Sequence, residues 1–306
     1  MDRWPALSFQ QTQPTLNTLH MWAQIVGKIR LCLSPWQNHA WNSTLYLSPR
    51  GFTTGAIPID DGLLDLEFDF LNHQLLVRFS QGNHHTISLQ NHTVASFYQE
   101  LTAIMDQHEI ILQMYSKPNE VDPAIAFAEN HQSDYEPDVA QAMWQVLMAV
   151  HNVFFQFRAG FNGKSSPVHL FWGAFDLAVT RFSGREAPPH PGGMPNIPLA
   201  IMREAYSHEV SSAGFWFGHE GFEQAAFYAY SYPTPEAYSK QKVSPDEAHY
   251  HDELGEYVLH YETVRRSDDP AQTLMSFLQS TYEAAAITAD WDRSQECNLS
   301  YLKYAG

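Results

Sequence analysis

Cysteine, basic side chains and long apolar runs are all scarce in this chain. Its 306 residues include only two cysteines, Cys32 and Cys297, and neither belongs to a C-x-x-C or Cys/His cluster. This pattern indicates neither a zinc finger nor a disulfide framework, and a reducing compartment fits it best. No stretch approaches the roughly 18 apolar residues of a membrane span, and no basic segment followed by an apolar run opens the chain. We therefore expect a soluble, cytoplasmic protein without a membrane partner.

The charge balance excludes a further class of partner. The chain has 34 acidic and 17 basic side chains, which give a formal net charge of -17. Such a surface repels phosphate backbones, and no Lys/Arg cluster interrupts it, so nucleic acid is not an expected partner. Hydrophobic residues make up 44% and aromatic residues 14% of the chain, which is enough for two cores or one large one.

Motifs of established chemistry are missing as well. The sequence has no G-x-S-x-G nucleophile elbow and no G-x-G-x-x-G dinucleotide fingerprint after a predicted strand. The Gly163-Lys164-Ser165-Ser166 segment lacks the spacing of a phosphate-binding P-loop. Function must therefore be argued from side chains that the fold brings together.

Hydrophobic periodicity predicts an α+β fold with two mainly antiparallel sheets, each followed by a packing helix. In the first half we predict helices over 15–27 and 94–108, and strands over 29–34, 41–48, 64–70, 75–79, 86–89 and 110–114. In the second half we predict a helix over 138–153, strands over 168–172, 175–182, 210–217, 225–232 and 257–263, and a closing helix capped by Asp269.

The repeated order suggests two similar halves. We place them at 1–115 and 137–306, with a connector over 116–136 and the candidate site in the second half. One continuous α+β domain is the alternative.

The predicted hairpin over 168–182 concentrates polar groups. Because alternate strand residues share a face, His169, Asp176 and Thr180 can lie on one face, with Arg181 on the other. Asp176 could hold the His169 imidazole in one tautomer and raise its basicity, as a catalytic base requires. The alternative is a buried His-Asp hydrogen bond that only stabilises the sheet.

Two arginines close to this hairpin suggest an anion site. Arg181 and Arg185 are candidate ligands for a carboxylate or phosphate, and Lys164 could extend the site. Arg185 is the better candidate, since Arg181 lies on the wrong strand face for the His169 pocket. The alternative is that both arginines pair with acids such as Glu186 or Glu209.

His208 and Glu209 are further candidates for catalytic groups. As neighbours at the start of a strand they point to opposite faces, so only one of them can face His169. A divalent metal held by His169, His208 and either Asp176 or Glu209 is chemically feasible. No metal-binding motif supports this site, so we do not favour it, and the cofactor stays unknown.

Aromatic and polar side chains could complete a pocket. Trp172 and Trp216 lie on predicted strands of the second sheet and could wall a small-molecule site, or belong to the core. His20, Gln24 and Lys28 form a polar stripe at helical spacing. This stripe is either a solvated helix face or the wall of a wet pocket.

Four segments resemble a family of bacterial proteins known as domain of unknown function 5996. They are residues 19–28 (L-H-M-W-A-Q-I-V-G-K), 166–185, 206–216 and 226–235. The resemblance spans nearly the whole chain and implies that it is one complete unit. It implies no activity, cofactor or partner, so no functional residue is transferred from it.

The sequence therefore predicts a soluble protein with a polar pocket for a small molecule, with an anionic compound as one candidate. The leading hypothesis is an enzyme in which His169 is the base, Asp176 orients it, and Arg181 or Arg185 binds the anionic group. The alternative is a binding protein that uses the same pocket without chemistry.

Overall fold

The structure is a computed structural model, which describes residues 3–219 and 221–296. Cys297 lies outside the described residues, and Cys32 is a free thiol. Within the described ranges, no helix is long and apolar enough to cross a membrane.

The described residues form six α-helices and twelve β-strands. The helices are α1 (Phe9–Leu33), α2 (Val94–Gln107), α3 (Pro137–Ala159), α4 (Leu199–Ala205), α5 (Tyr261–Arg266) and α6 (Pro270–Thr288). The strands are β1 (Tyr46–Leu47), β2 (Gly51–Thr53), β3 (Ile57–Ile59), β4 (Gly62–Asp69), β5 (Gln74–Phe79), β6 (His84–Ser88), β7 (His169–Phe171), β8 (Asp176–Glu186), β9 (His208–Trp216), β10 (Ala226–Tyr232), β11 (His249–His251) and β12 (Glu256–His260).

The strands form two six-stranded antiparallel sheets. The first has the order β1-β2-β4-β5-β6, with β3 pairing with β4, and the second has the order β11-β12-β10-β9-β8-β7. In the chain, α2 follows the first sheet, and α5 and α6 follow the second. The predicted α+β fold with two antiparallel sheets is confirmed.

The two sheets meet at a short bridge between β7 and the residue that precedes β1. The Leu45 amide donates to the Leu170 carbonyl at 3.0 Å, and the Leu170 amide donates to the Leu45 carbonyl at 2.8 Å. One cluster of buried apolar residues contains members of both sheets and of α1, α2, α3 and α6. The proposed division into halves with a connector over 116–136 stays a prediction.

Helix α1 corrects one prediction of strand structure. The period-two pattern after Lys28 predicted a strand over 29–34, but α1 continues to Leu33. Trp22, Ile25 and Ile29 are fully buried, since the helix packs against α2, α3 and β3. A helix buried on several sides loses the clear amphipathic spacing that distinguishes it from a strand.

The helix over 94–108 and the cap of the closing helix were predicted closely, whereas the helix predicted over 15–27 extends over Phe9–Leu33. Helix α2 begins after a Thr93–Ser96 capping box, and Asp269 caps α6 by accepting from the Gln272 amide at 3.0 Å. The predicted strand over 110–114 is wrong, because this segment forms no ladder, and the predicted strand over 257–263 ends at His260, where α5 begins. The short elements β2, β3, β11 and α4 were not predicted.

The second sheet has one apolar face and one polar face. Helices α3 and α6 pack against the face that carries Leu177, Val179, Phe215 and Phe227, which are fully buried. The register pairs Ala178 with Gly214, and Gly214 with Tyr228, on the opposite face. This opposite face carries the candidate site.

Gly27 provides a test of how α1 fits against the sheet. A methyl group at this position would lie 2.2 Å from Cδ1 of Trp172, so the helix needs glycine where the indole packs. We expect Gly27→Ala to destabilise the protein by about 1–3 kcal/mol, although alanine favours a helix by about 1 kcal/mol. Urea unfolding measures the change.

The matched control places Gly27→Ala in a Trp172→Ala background, where the indole is absent. There the helix preference should prevail and the glycine substitution should stabilise by up to about 1 kcal/mol. An equal destabilisation in both backgrounds would contradict the proposed contact.

Candidate functional site

A cavity of about 1000 Å³ lies on the polar face of the second sheet. The sheet forms its floor, and its walls come from the end of α1, residues 113–120, and α4 with the loop before it. Tyr115 and Met194 line it and are 62% and 47% exposed, so the cavity reaches the surface beside them.

The β7–β8 hairpin supplies the predicted polar side chains. His169 pairs with Ala178 and Phe171 pairs with Asp176, so these residues share one face. His169, Asp176 and Thr180 all line the cavity. The register thus brings the three residues together, and their catalytic or binding roles stay predictions.

Asp176 is bound by a tyrosine from a distant strand. The Tyr228 hydroxyl of β10 donates to Asp176 Oδ2, and the tyrosine ring crosses the intervening strand β9 at Gly214. A methyl group at Gly214 would lie 2.2 Å from Tyr228 Cζ, so glycine is required for this crossing. Burial raises the pKa of Asp176 to about 6, while the Tyr228 hydrogen bond acts in the opposite direction.

The expected hydrogen bond between His169 and Asp176 is not formed. Both ring nitrogens of His169 are buried without a hydrogen-bond partner among the described residues, and the ring packs edge-on against Phe171 at 4.4 Å. Burial lowers the pKa of His169 to about 3, so the imidazole is neutral at physiological pH. The prediction failed because same-face strand positions do not guarantee contact.

Two further carboxyl groups line the cavity. Glu120 lies in the segment before α3, and its Oε1 packs so closely on Gly173 that a methyl group there would be 1.9 Å away. Glu256 begins β12 at the other side of the floor. Burial, together with the negative charge of Asp176, raises the pKa of each to about 7.

Hydroxyl groups continue the polar floor beyond Asp176. The Tyr206 and Tyr230 hydroxyls lie 2.9 Å apart, and those of Thr180 and Ser212 lie 2.8 Å apart. Burial raises the pKa values of Tyr206 and Tyr230, so both phenols stay protonated at neutral pH.

The polar stripe of α1 packs against protein and is not a solvated face. Gln24 and Lys28 are buried, and His20 Nε2 lies 2.7 Å from the Gly173 carbonyl. Gln24 Nε2 donates to the Asn119 carbonyl at 2.7 Å, and its Oε1 accepts from the Asn119 amide at 2.8 Å.

Of these three residues, Lys28 lines the cavity. Its Nζ donates to Asn119 Oδ1 and lies 5.4 Å and 5.5 Å from the ring centres of Trp172 and Tyr115. Burial lowers the pKa of Lys28 to about 8. Asn119 in turn donates from Nδ2 to the Asn196 carbonyl at 2.5 Å and so ties α1 to the loop before α4.

Neither candidate arginine reaches the cavity floor. Arg181 points to the helix side of the sheet, where it is 2% exposed, donates to the Phe157 carbonyl and stacks on Phe157 and Tyr282. Arg185 Nε donates to Glu209 Oε2 at 2.8 Å. The alternative that Arg185 pairs with Glu209 is the arrangement in the structure, since β8 continues irregularly past Phe182.

His208 and Lys164 lie at the rim, near His39. Lys164 Nζ is 2.5 Å from His39 Nε2, and the rings of His39 and His208 are 5.8 Å apart. Of these three, His39 lines the cavity. His169, His208, Asp176 and Glu209 are not assembled as ligands, and no group of three or more potential metal ligands occurs in the described part of the chain.

Both candidate tryptophans line the cavity. Trp172 Nε1 donates to the Ser43 carbonyl at 2.6 Å, and its ring is 7% exposed. Trp216 stacks on Phe222 at 5.1 Å. Each indole therefore belongs partly to the packed structure and partly to the wall.

Sequence reasoning missed the carboxyl groups of Glu120 and Glu256. Glu120 had no periodic signal, because it lies in a segment without regular secondary structure. The alternating Y-A-Y of β10 predicts that the rings of Tyr228 and Tyr230 share one face, and both line the cavity.

The fold and the site define an α+β protein whose second sheet carries a cavity with buried carboxyl and aromatic side chains. The chain belongs to the family of unknown function DUF5996, whose model matches residues 4–297. This match confirms the resemblance seen in the sequence. Comparisons with curated proteins and with solved structures gave no match.

Asp176 predicts a pH dependence of stability. Its pKa is raised by burial from 3.8 to about 6, so the protonated form favours folding and this contribution is lost as pH rises through about 6. Asp176→Asn removes the ionisation and can keep an acceptor for Tyr228. We expect the variant to gain up to roughly 3 kcal/mol over wild type between about pH 4 and about pH 7.

Urea unfolding of both proteins across this pH range measures the difference. Glu129→Gln is the control, because Glu129 is exposed and lies outside the cavity. A constant difference between Asp176→Asn and wild type at every pH would contradict the raised pKa.

Proposed function

We propose that the cavity binds a small, largely apolar molecule. The observation that carries the proposal is a space of about 1000 Å³ with aromatic walls, into which polar groups converge from α1, the segment before α3, and several strands. Sites for small molecules commonly combine apolar walls with a few placed polar groups.

The positions of the charged groups favour binding over the mechanism first expected from the sequence. His169 is neutral and is not oriented by Asp176, so a His–Asp base has no support in the geometry. Arg181 and Arg185 have protein partners outside the cavity floor, so the geometry does not support an anion held by these arginines either.

Thr180→Phe tests the proposal, because Thr180 lines the cavity and is only partly buried. A phenyl group there should occupy space that a ligand needs. With the neutral dye Nile red as probe, we expect enhanced fluorescence with wild type and an affinity lower by about tenfold or more in the variant.

Thr86→Phe is the matched control, since Thr86 is an exposed strand residue of the first sheet. It should bind the dye as wild type does, and circular dichroism checks that both variants fold. Equal affinity in Thr180→Phe and wild type, or no dye binding by wild type, would contradict the proposal.

A second candidate function is acid–base catalysis in the same cavity. It is supported by the pKa of Asp176 at about 6 and those of Glu120 and Glu256 at about 7. Carboxyl groups in this range can both donate and accept a proton near neutral pH. Asp176 is the preferred proton-transfer group, because Tyr228 fixes its position.

Mass spectrometry of a metabolite extract incubated with the protein tests this candidate. Wild type and Glu129→Gln should deplete a metabolite and form a product, and Asp176→Asn should do so at least about 100-fold more slowly. An unchanged extract, or equal rates in Asp176→Asn, would leave ligand binding as the only supported function.

A further inference from the structure

Three carboxyl groups and one imidazole that line the cavity can accept hydrogen bonds. Glu120, Asp176 and Glu256 are acceptors when ionised, and the neutral His169 ring keeps one acceptor nitrogen. His169 is fully buried, lines the cavity and has no hydrogen-bond partner among the described residues at either nitrogen. A buried ring with two unpartnered nitrogens is expected to find partners in a bound molecule or water.

The negative charge of the floor lacks a protein counter-charge. No Lys, Arg or His of the described ranges forms a salt bridge with Glu120, Asp176 or Glu256. Buried charges are normally paired, and the charge of Asp176 opposes ionisation of both Glu120 and Glu256, so such a group of carboxyls is unusual without a cation.

The other charged groups that face the cavity do not supply this counter-charge. Lys28 donates to Asn119 and lies beside Trp172 and Tyr115 at the α1 wall. His39 at the rim lies beside the ammonium of Lys164, whose charge opposes protonation of the ring.

We propose that the cavity binds an organic cation, a primary amine or alkylammonium compound with an apolar body, whose charged end lies at Asp176, Glu256 and Glu120. This inference rests on the proposed function, because it assigns a ligand class to the same cavity. The ammonium hydrogens would meet the carboxylates and the His169 nitrogen, and the apolar body would lie among the aromatic walls.

The aromatic lining fits a cation as well as an apolar body. Phe171, Trp216, Tyr228 and Tyr230 line the cavity together with the carboxyl groups. The faces of aromatic rings attract cations, most strongly when the site is shielded from water. The carboxylates would hold the charge, and the ring faces would favour an ammonium over an anion.

Three probes with the same phenyl group separate charge from apolar binding. Phenethylamine is a cation at neutral pH, 2-phenylethanol is neutral and phenylacetate is an anion. By isothermal titration calorimetry at about pH 8, where the carboxyl groups are ionised, we expect phenethylamine to bind at least about tenfold tighter than 2-phenylethanol. Phenylacetate should bind most weakly.

Variants locate the effect at the carboxyl groups. Asp176→Asn combined with Glu256→Gln should reduce the preference for phenethylamine over the alcohol to about twofold or less, while Glu129→Gln keeps it. Nile red binding by the double variant checks that the cavity is intact. If the double variant does not fold, each single substitution should reduce the preference in part.

The pH dependence gives an independent readout. Affinity for phenethylamine should rise between about pH 5 and about pH 8 as the carboxyl groups ionise, whereas affinity for 2-phenylethanol should stay constant. Lys28, His39 and His169 also face the cavity. Deprotonation of Lys28 and His39 in this range also raises the affinity for phenethylamine. The carboxyl variants therefore decide which groups cause the pH dependence.

The outcomes separate this inference from the proposed function. Three outcomes would overturn the cation proposal and leave a cavity for other molecules, provided that Nile red binds. They are equal affinities for the amine and the alcohol, tightest binding of phenylacetate, and no binding of any of the three probes. Absence of Nile red binding by wild type would overturn the proposed function, and absence of binding of the three probes as well would overturn this inference with it.

Discussion

The Tyr228 hydroxyl reaches Asp176 across the backbone of β9, and it can do so only where that strand presents glycine. Gly214 leaves the space through which the ring passes, and the resulting hydrogen bond fixes a carboxyl group in the middle of the cavity floor. The charge of Asp176 then acts on Glu120 at one side and Glu256 at the other. The position of the charge that Glu120 and Glu256 share as a neighbour thus depends on the absence of a side chain at Gly214.

Strand alternation separates two environments within the second sheet. Odd-numbered residues of β8 such as Leu177 and Val179 enter the core with α3 and α6, and even-numbered ones such as Asp176 and Thr180 enter the cavity. Arg181 follows the same rule, because its guanidinium is buried among rings on the core side. Burial lowers its pKa to about 10, and ring faces and a carbonyl replace part of its lost hydration.

The sequence allowed the cavity floor to be predicted better than its walls. A two-residue period decides which face His169, Asp176 and Thr180 share, and this rule is local. A contact across an intervening strand, such as that of Tyr228 with Asp176, depends on sheet order, which no local pattern encodes. Glu120 could not be predicted for a different reason, because it approaches Gly173 from a segment without periodicity.

Helix α1 shows a second case in which hydrophobic periodicity is not sufficient to predict the structure. Its residues after Lys28 alternate in a way that favours a strand, yet tertiary packing extends the helix to Leu33. The stripe of His20, Gln24 and Lys28 kept its helical spacing and was recognised as a possible wall. Whether such a stripe contacts water or protein depends on a distant segment of the chain, and here the backbone of Asn119 bonds to Gln24.

Asn119 links two walls of the cavity through the oxygen and the nitrogen of its side-chain amide. Its oxygen accepts from the Lys28 ammonium and its nitrogen donates to the Asn196 carbonyl, so the two neighbours fix which way the amide faces. A carboxylate of the same shape would turn an oxygen towards a carbonyl, and an apolar side chain would satisfy neither neighbour. The side-chain amide of Asn119 therefore links helix α1 to the loop before α4 in one orientation only, with its oxygen towards Lys28 and its nitrogen towards Asn196.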